Sequence, residues 1–167
     1  MTASVTGTTT ATIGATLSTT TNSNGNIYYS TSSGLSSPPS TYFSNGGSKS
    51  LTGLSVNTSY TYYFYAYSAV TKKLYSVGSK TFRTDPNYSA TLSVSSVEIT
   101  TATIGATLNT TNNSDGKIYY STSSGLTSKN NLPSFSSGGT ANLTGLAAST
   151  SYTYYIYAYS STSGKLY

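Results

Sequence analysis

The chain has 167 residues and a formal net charge of +5, and only 7% of its residues are charged. It contains no Cys and no His, which excludes disulfides and removes the side chains that most often act as nucleophiles, general bases or metal ligands. Its eight basic residues are scattered and no apolar run approaches about 18 residues, so the sequence predicts neither a nucleic-acid surface nor a membrane span.

Short segments in which apolar and polar residues alternate follow one another through the first half of the chain. The clearest are Ala11–Leu17, Ile27–Leu35 and Ser59–Ser68. They are rich in β-branched and aromatic residues, a pattern typical of β-strands. Asn24-Gly25, just before the second segment, predicts a turn. No segment shows the periodicity of a helix.

The second half of the chain repeats the first. Ala11–Leu17 recurs unchanged at Ala102–Leu108, and Ser59–Ser68 recurs at Ser151–Ser160 with a single substitution. Asp115-Gly116 takes the place of the earlier turn dipeptide. Repetition of this kind indicates two copies of one structural unit. Short strands separated by frequent turns are typical of a β-sandwich.

The segment Leu51–Ala66 resembles the region between the fifth and sixth strands of a fibronectin type III domain, and Leu143–Ala158 resembles it in the same way. The resemblance implies an all-β fold of two tandem immunoglobulin-like or fibronectin type III-like β-sandwiches. It also implies that Tyr60 and Tyr152 form tyrosine corners, each with its hydroxyl bonded to upstream backbone. The expected domains are residues 1–86 and 87–167. The family's usual core Trp is absent, so a related immunoglobulin-like sandwich is the alternative.

Repeat 1 continues after Leu74-Tyr75 into a last strand, whereas repeat 2 stops at the equivalent Leu166-Tyr167. We therefore expect the second sandwich to lack its C-terminal strand and to expose unpaired backbone and an apolar slot. Two explanations remain open. The sequence is an excerpt of a longer repeat array, or a strand from a neighbouring subunit fills the slot. The candidate donor strand consists of Thr2, Ala3, Ser4, Val5 and Thr6.

Tyrosines recur along the segments Ser59–Ser68 and Ser151–Ser160. If Tyr60, Tyr62 and Phe64 face the core, the residues between them face outward. The expected exposed stripe comprises Tyr28, Tyr63, Tyr65 and Tyr67 in repeat 1, and Tyr119, Tyr155, Tyr157 and Tyr159 in repeat 2. Outward tyrosines stack on sugars, pack against a subunit, or simply stabilise the sheet through cross-strand pairs.

Five Asn-x-Ser/Thr sequons, all expected at loops or strand ends, are candidate glycosylation sites. They begin at Asn57, Asn87, Asn109, Asn112 and Asn142.

Catalysis would have to rest on three acids, Asp85, Glu98 and Asp115. Asp85 is expected in the linker and Asp115 in a turn. Glu98 aligns with Gly7, so the repeats do not share it. The sequence therefore predicts no enzyme, no catalytic residue, no metal site and no cofactor.

The leading hypothesis is a structural subunit of an extracellular filament or surface stalk, such as a pilus or adhesin. Its subunits would join head to tail as a homopolymer, which gives open filaments, and strand donation between subunits is one way to join them. The alternative is a carbohydrate-binding or spacer module of a secreted enzyme or adhesin. Glycans are the other expected partner, and the expected location is extracellular or at the cell surface.

Overall fold

The computed structural model describes all 167 residues and is all-β, as predicted: it contains thirteen strands and no helix. None of its segments is therefore a helix that could cross a membrane. The chain forms two compact units, unit 1 (Met1–Asp85) and unit 2 (Pro86–Tyr167).

Unit 1 contains seven strands in two antiparallel sheets. They are β1 (Thr2–Val5), β2 (Ala11–Gly14), β3 (Ser23–Ser30), β4 (Tyr42–Ser44), β5 (Ser48–Leu51), β6 (Ser59–Ser68) and β7 (Leu74–Arg83). The sheet orders are β1-β2-β5 and β4-β3-β6-β7. The core includes Ile13 of the first sheet and Ile27 and Phe64 of the second, all with no solvent exposure. Tyr60 and Tyr62 pack against this core, so the face predicted from the alternation in β6 is confirmed.

Unit 2 repeats this architecture with six strands. They are β8 (Ala90–Ser95), β9 (Thr101–Leu108), β10 (Ser114–Ser121), β11 (Ser134–Ser136), β12 (Thr140–Thr144) and β13 (Tyr155–Ser160). The sheet orders are β12-β9-β8 and β11-β10-β13. No strand equivalent to β7 is present, as predicted; only a single bridge, Tyr159 to Leu166, begins the corresponding pairing.

The turn prediction for the Gly dipeptides is wrong. Asn24-Gly25 lies inside β3, where the register with β6 shifts between Ser23 and Ile27. Asp115-Gly116 lies at the same kind of irregularity in β10. Gly25 has φ +79°, and a left-handed glycine suits an irregularity within a strand as well as it suits a turn.

Strand β13 of unit 2 has 6 residues, whereas the equivalent β6 of unit 1 has 10, because no strand pairs with the segment before β13. Ser59–Tyr62 is the first part of β6 and pairs with β7 alone, because the continuous register of β6 with β3 begins at Tyr63. Ser151–Tyr154 has the same sequence but forms no strand. Identical residues thus take different structures because only one copy has a partner for its backbone.

Candidate functional site

Unit 2 contains an apolar groove at the position that β7 covers in unit 1. Its volume is about 550 Å³, and its lining includes Leu92, Val94, Ile104, Leu143, Tyr152 and Ile156. In unit 1, Phe82 of β7 is buried and its ring stacks on Tyr60 and Tyr62, with centroids 5.8 and 6.1 Å apart. Without such a residue, Tyr152 is 43% exposed and Val94 is 67% exposed. The groove can therefore accept an extended apolar strand.

The outer face of the four-stranded sheet in unit 1 carries three neighbouring tyrosines, which we term the aromatic platform: Tyr28, Tyr42 and Tyr67. Tyr28 and Tyr42 are cross-strand partners whose ring centroids lie 5.7 Å apart, and Tyr28 and Tyr67 lie 6.5 Å apart at 71°. Tyr42 is 54% exposed. The Asn24 side-chain amide donates a hydrogen bond of 2.7 Å to the Tyr28 hydroxyl. The platform offers apolar ring faces beside polar groups.

The predicted exposed stripe is wrong at three positions. Tyr65 is only 2% exposed, and its hydroxyl donates to the Ser32 carbonyl oxygen at 2.9 Å, in the loop before β4. In unit 2, Tyr157 donates likewise to Ser123 at 2.8 Å, and Tyr157 and Tyr119 are 8% and 5% exposed. Loops that fold back over the sheet cover these rings. The alternation of residues along a strand predicts which face a side chain lies on, but not whether a loop covers that face.

The other members of the predicted stripe retain some exposure. Tyr63 and Tyr67 are half-buried, as is Tyr28, and Tyr155 is 41% exposed. Tyr159 is half-buried, and an ammonium group lies over its ring: the Lys129 Nζ is 3.7 Å from the ring centroid.

Lys129 belongs to a charged cluster on the outer face of unit 2. Its Nζ lies 2.9 Å from the Asp115 carboxylate, which also accepts a hydrogen bond of 2.7 Å from the Tyr119 hydroxyl. Burial raises the pKa of Asp115, but the hydrogen bonds from Tyr119 and Lys129 outweigh it and leave that pKa below its usual value. The hydrogen bond to Asp115 raises the pKa of Lys129.

The two tyrosines assigned to corners bond to the backbone that precedes them. The Tyr60 hydroxyl accepts a hydrogen bond of 2.7 Å from the Ser55 N–H, and the Tyr152 hydroxyl accepts one of 2.7 Å from the Ala147 N–H. Each bond fixes the turn that leads into the sixth strand of its unit.

The sequons lie at different kinds of position. Asn57, Asn87, Asn109 and Asn112 lie between strands. Asn142 lies inside β12, an edge strand, and not at a strand end as expected. Its side-chain oxygen accepts a hydrogen bond from Thr103.

The candidate donor strand already has a place in unit 1. Thr2, Ala3, Ser4 and Val5 form β1, which pairs with β2 in antiparallel register, and Thr6 follows directly. Val5 is 2% exposed and belongs to the core. Donation to another subunit would first have to break these contacts.

The three acids occupy separate settings. Asp85 is fully buried at the end of unit 1, Asp115 is paired with Lys129, and Glu98 accepts a hydrogen bond from Thr101. No three acidic side chains gather into a group that could hold a metal ion.

Sequence reasoning missed Tyr42, Asn24 and Lys129. Tyr42 lies in a strand of only three residues, too short for a periodic pattern. Asn24 and Asp115 occupy equivalent places in the two repeats, so a comparison of the copies would have singled out both positions.

Neither a family model nor a curated protein matches this chain. Among solved structures, the chain is similar to chitinase ChiA74 from Bacillus thuringiensis, with 17% identity and a TM-score of 0.36. The match covers 93% of this chain but 28% of the chitinase, so the chain spans less than a third of that protein's length.

Proposed function

We propose that the chain is a non-catalytic module of a secreted or cell-surface protein, built from two fibronectin type III-like sandwiches, which binds carbohydrate through the aromatic platform of unit 1. The sheets of three and four strands in unit 1 and the bonded tyrosine hydroxyl in each unit support the fibronectin type III-like assignment. The rest of the chain serves as a spacer.

The observation that carries this proposal is the exposure of the platform on a rigid support. Tyr28 and Tyr67 lie on the central strands β3 and β6, and Tyr42 lies on the edge strand β4. Tyrosine rings present flat apolar faces with polar tips, a surface on which sugar rings stack while their hydroxyls remain hydrated.

Tyrosine emission provides the test, because the chain contains no Trp. Titration with polysaccharides should change the emission of the intact chain. Tyr42→Ala should weaken binding about three- to tenfold, the range of a lost aromatic contact. Tyr155→Ala is the matched control, since it removes a comparably exposed tyrosine from unit 2. A flat titration across neutral, acidic and basic polysaccharides, or equal losses in both variants, would refute platform binding.

The groove of unit 2 supports a second candidate, head-to-tail assembly in which a second copy supplies the missing strand. An open sheet edge beside an apolar slot favours strand addition. The purified chain should then form filaments visible by negative-stain electron microscopy, with matching light scattering. Joining residues with the sequence of Ser76–Thr84 after Tyr167 should fill the groove and stop assembly. A monodisperse parent chain, or an extended chain that still polymerises, would rule this candidate out.

A further inference from the structure

The two units carry the same tyrosine pair on their outer faces. Tyr28 and Tyr67 in unit 1 lie 6.5 Å apart at 71°, and Tyr119 and Tyr159 in unit 2 lie 6.4 Å apart at 67°. Because both units have this tyrosine pair, the two surfaces differ only through the residues around it. Those residues therefore determine how the chemistry of the two surfaces differs.

In unit 2 the chain covers its own tyrosine pair. The Lys129 ammonium lies over Tyr159 and is bonded to Asp115, so the charges there neutralise each other. Leu126 and Leu132 pack against the cluster that contains Tyr119. Tyr119 is only 5% exposed as a result, although Tyr155 and Lys117 of the same face remain exposed.

Three differences change the same surface in unit 1. Neutral Asn24 replaces Asp115, Tyr42 replaces Ser134, and Lys72-Lys73 replaces Gly164-Lys165 at the turn after the sixth strand. Together they remove a carboxylate, add an exposed ring and add a positive charge at the turn, whereas Asn26 takes the place of Lys117 and no lysine takes the place of Lys129.

The lysine pair lies at the same end of the sheet as the platform. Tyr67 pairs with Leu74, the residue after Lys73, and the Ser68 N–H donates to the Lys73 carbonyl oxygen at 3.0 Å. Both lysines are exposed. Unit 1 contains five of the eight basic residues, and its single acid, Asp85, is fully buried. The Tyr67 side of the platform thus lies next to the turn that carries two exposed cations, and unit 1 has no exposed carboxylate.

We infer that the aromatic platform binds an anionic polysaccharide, whose sugar rings stack on Tyr28 and Tyr42 and whose carboxylate or sulfate groups face Lys72-Lys73. This inference rests on the proposed carbohydrate binding and names the class of ligand. Complementary charge favours anionic chains, and the same positive field repels polyamines.

Calorimetric titration of the intact chain with polygalacturonate, a neutral β-glucan and chitosan tests the ligand class. Polygalacturonate should bind most tightly, and its affinity should fall roughly fivefold between about 50 and 200 mM salt, as expected when about two cations contact a polyanion. Equal or tighter binding of the neutral glucan overturns the inference but leaves the proposed function intact. Failure of all three polymers to bind overturns the proposed function as well.

Matched double variants test the site. Lys72→Gln with Lys73→Gln should weaken polygalacturonate binding about tenfold, because two favourable charge contacts are lost. Lys49→Gln with Lys80→Gln removes the same charge from unit 1 and should change the affinity less than about twofold. Equal losses in the two variants, or equally tight binding of a single-stranded oligonucleotide, would show unspecific attraction to polyanions and overturn the inference. Circular dichroism should show unchanged strand content in both.

Discussion

At the scale of single residues, one hydroxyl in each unit holds the turn before the sixth strand. Tyr60 is half-buried and covered by Phe82, whereas Tyr152 is 43% exposed beside the open groove. A side chain that packing already holds in place loses less conformational freedom when its hydrogen bond forms, so that bond contributes more to stability. The two chemically identical contacts should therefore differ in strength.

Tyr60→Phe removes the acceptor for the Ser55 N–H and should lower the free energy of unfolding of unit 1 by about 1 kcal/mol. Tyr152→Phe should cost unit 2 less. Urea denaturation followed through amide resonances of each unit measures both, and faster exchange of the Ser55 amide reports the lost bond directly. A larger cost for Tyr152→Phe would contradict this reading.

The ion pair of unit 2 makes stability depend on pH. The folded-state pKa of Asp115 lies below its usual value, so its contribution is complete above the unfolded pKa and is lost as pH falls through the folded pKa. Asp115→Asn should therefore destabilise unit 2 at neutral pH by a small amount, since the pair is partly exposed. The difference from the parent chain should disappear in acid.

Thermal unfolding of both proteins across the acidic range measures this effect. If the difference in unfolding temperature between the two proteins persists below the folded pKa of Asp115, the carboxylate's charge does not cause the destabilisation. The contribution of Lys129 to stability has the opposite pH dependence. Because its folded-state pKa is raised, that contribution is lost as pH rises through the folded-state pKa.

Residue roles were only partly predictable from the sequence. Alternation in β6 identified which side chains enter the core, since strand geometry fixes that pattern. Burial of Tyr65 and Tyr157 could not be predicted, because it depends on loops whose conformation has no period.

At the scale of elements, a strand exists only where its neighbour satisfies its backbone. Ser59–Tyr62 and Ser151–Tyr154 are identical, yet only the first is a strand, and β7 is the difference. Propensity alone could not have distinguished them. The gap in unit 2 was predictable, because the aligned repeats differ in extent.

Joining the sequence of Ser76–Thr84 to Tyr167 should extend β13 to residue 151 and bury Tyr152 under the added Phe. Hydrogen exchange should slow by at least about tenfold at alternate amides of Ser151–Tyr154, since those N–H groups gain a carbonyl acceptor on the added strand. The same extension with its Phe changed to Ser is the control, because it keeps the backbone but removes the buried ring. Unchanged exchange in the first variant would mean that the groove does not accept this strand.

At the scale of the whole molecule, two copies of one unit carry different surfaces. Alternation of apolar and polar residues predicted the all-β fold, and repetition predicted that one unit occurs twice. It did not predict the binding surface, since that surface arises from a few substitutions at equivalent positions, such as Asn24 against Asp115.

Amide chemical-shift mapping by NMR during titration of the intact chain with oligogalacturonate would locate the bound ligand residue by residue. We expect the shifts to concentrate in unit 1 at Asn24, Tyr28, Tyr42, Tyr67 and Lys72-Lys73, while unit 2 remains unchanged. Shifts confined to the groove residues 146–156, or spread evenly over every exposed lysine, would contradict this expectation.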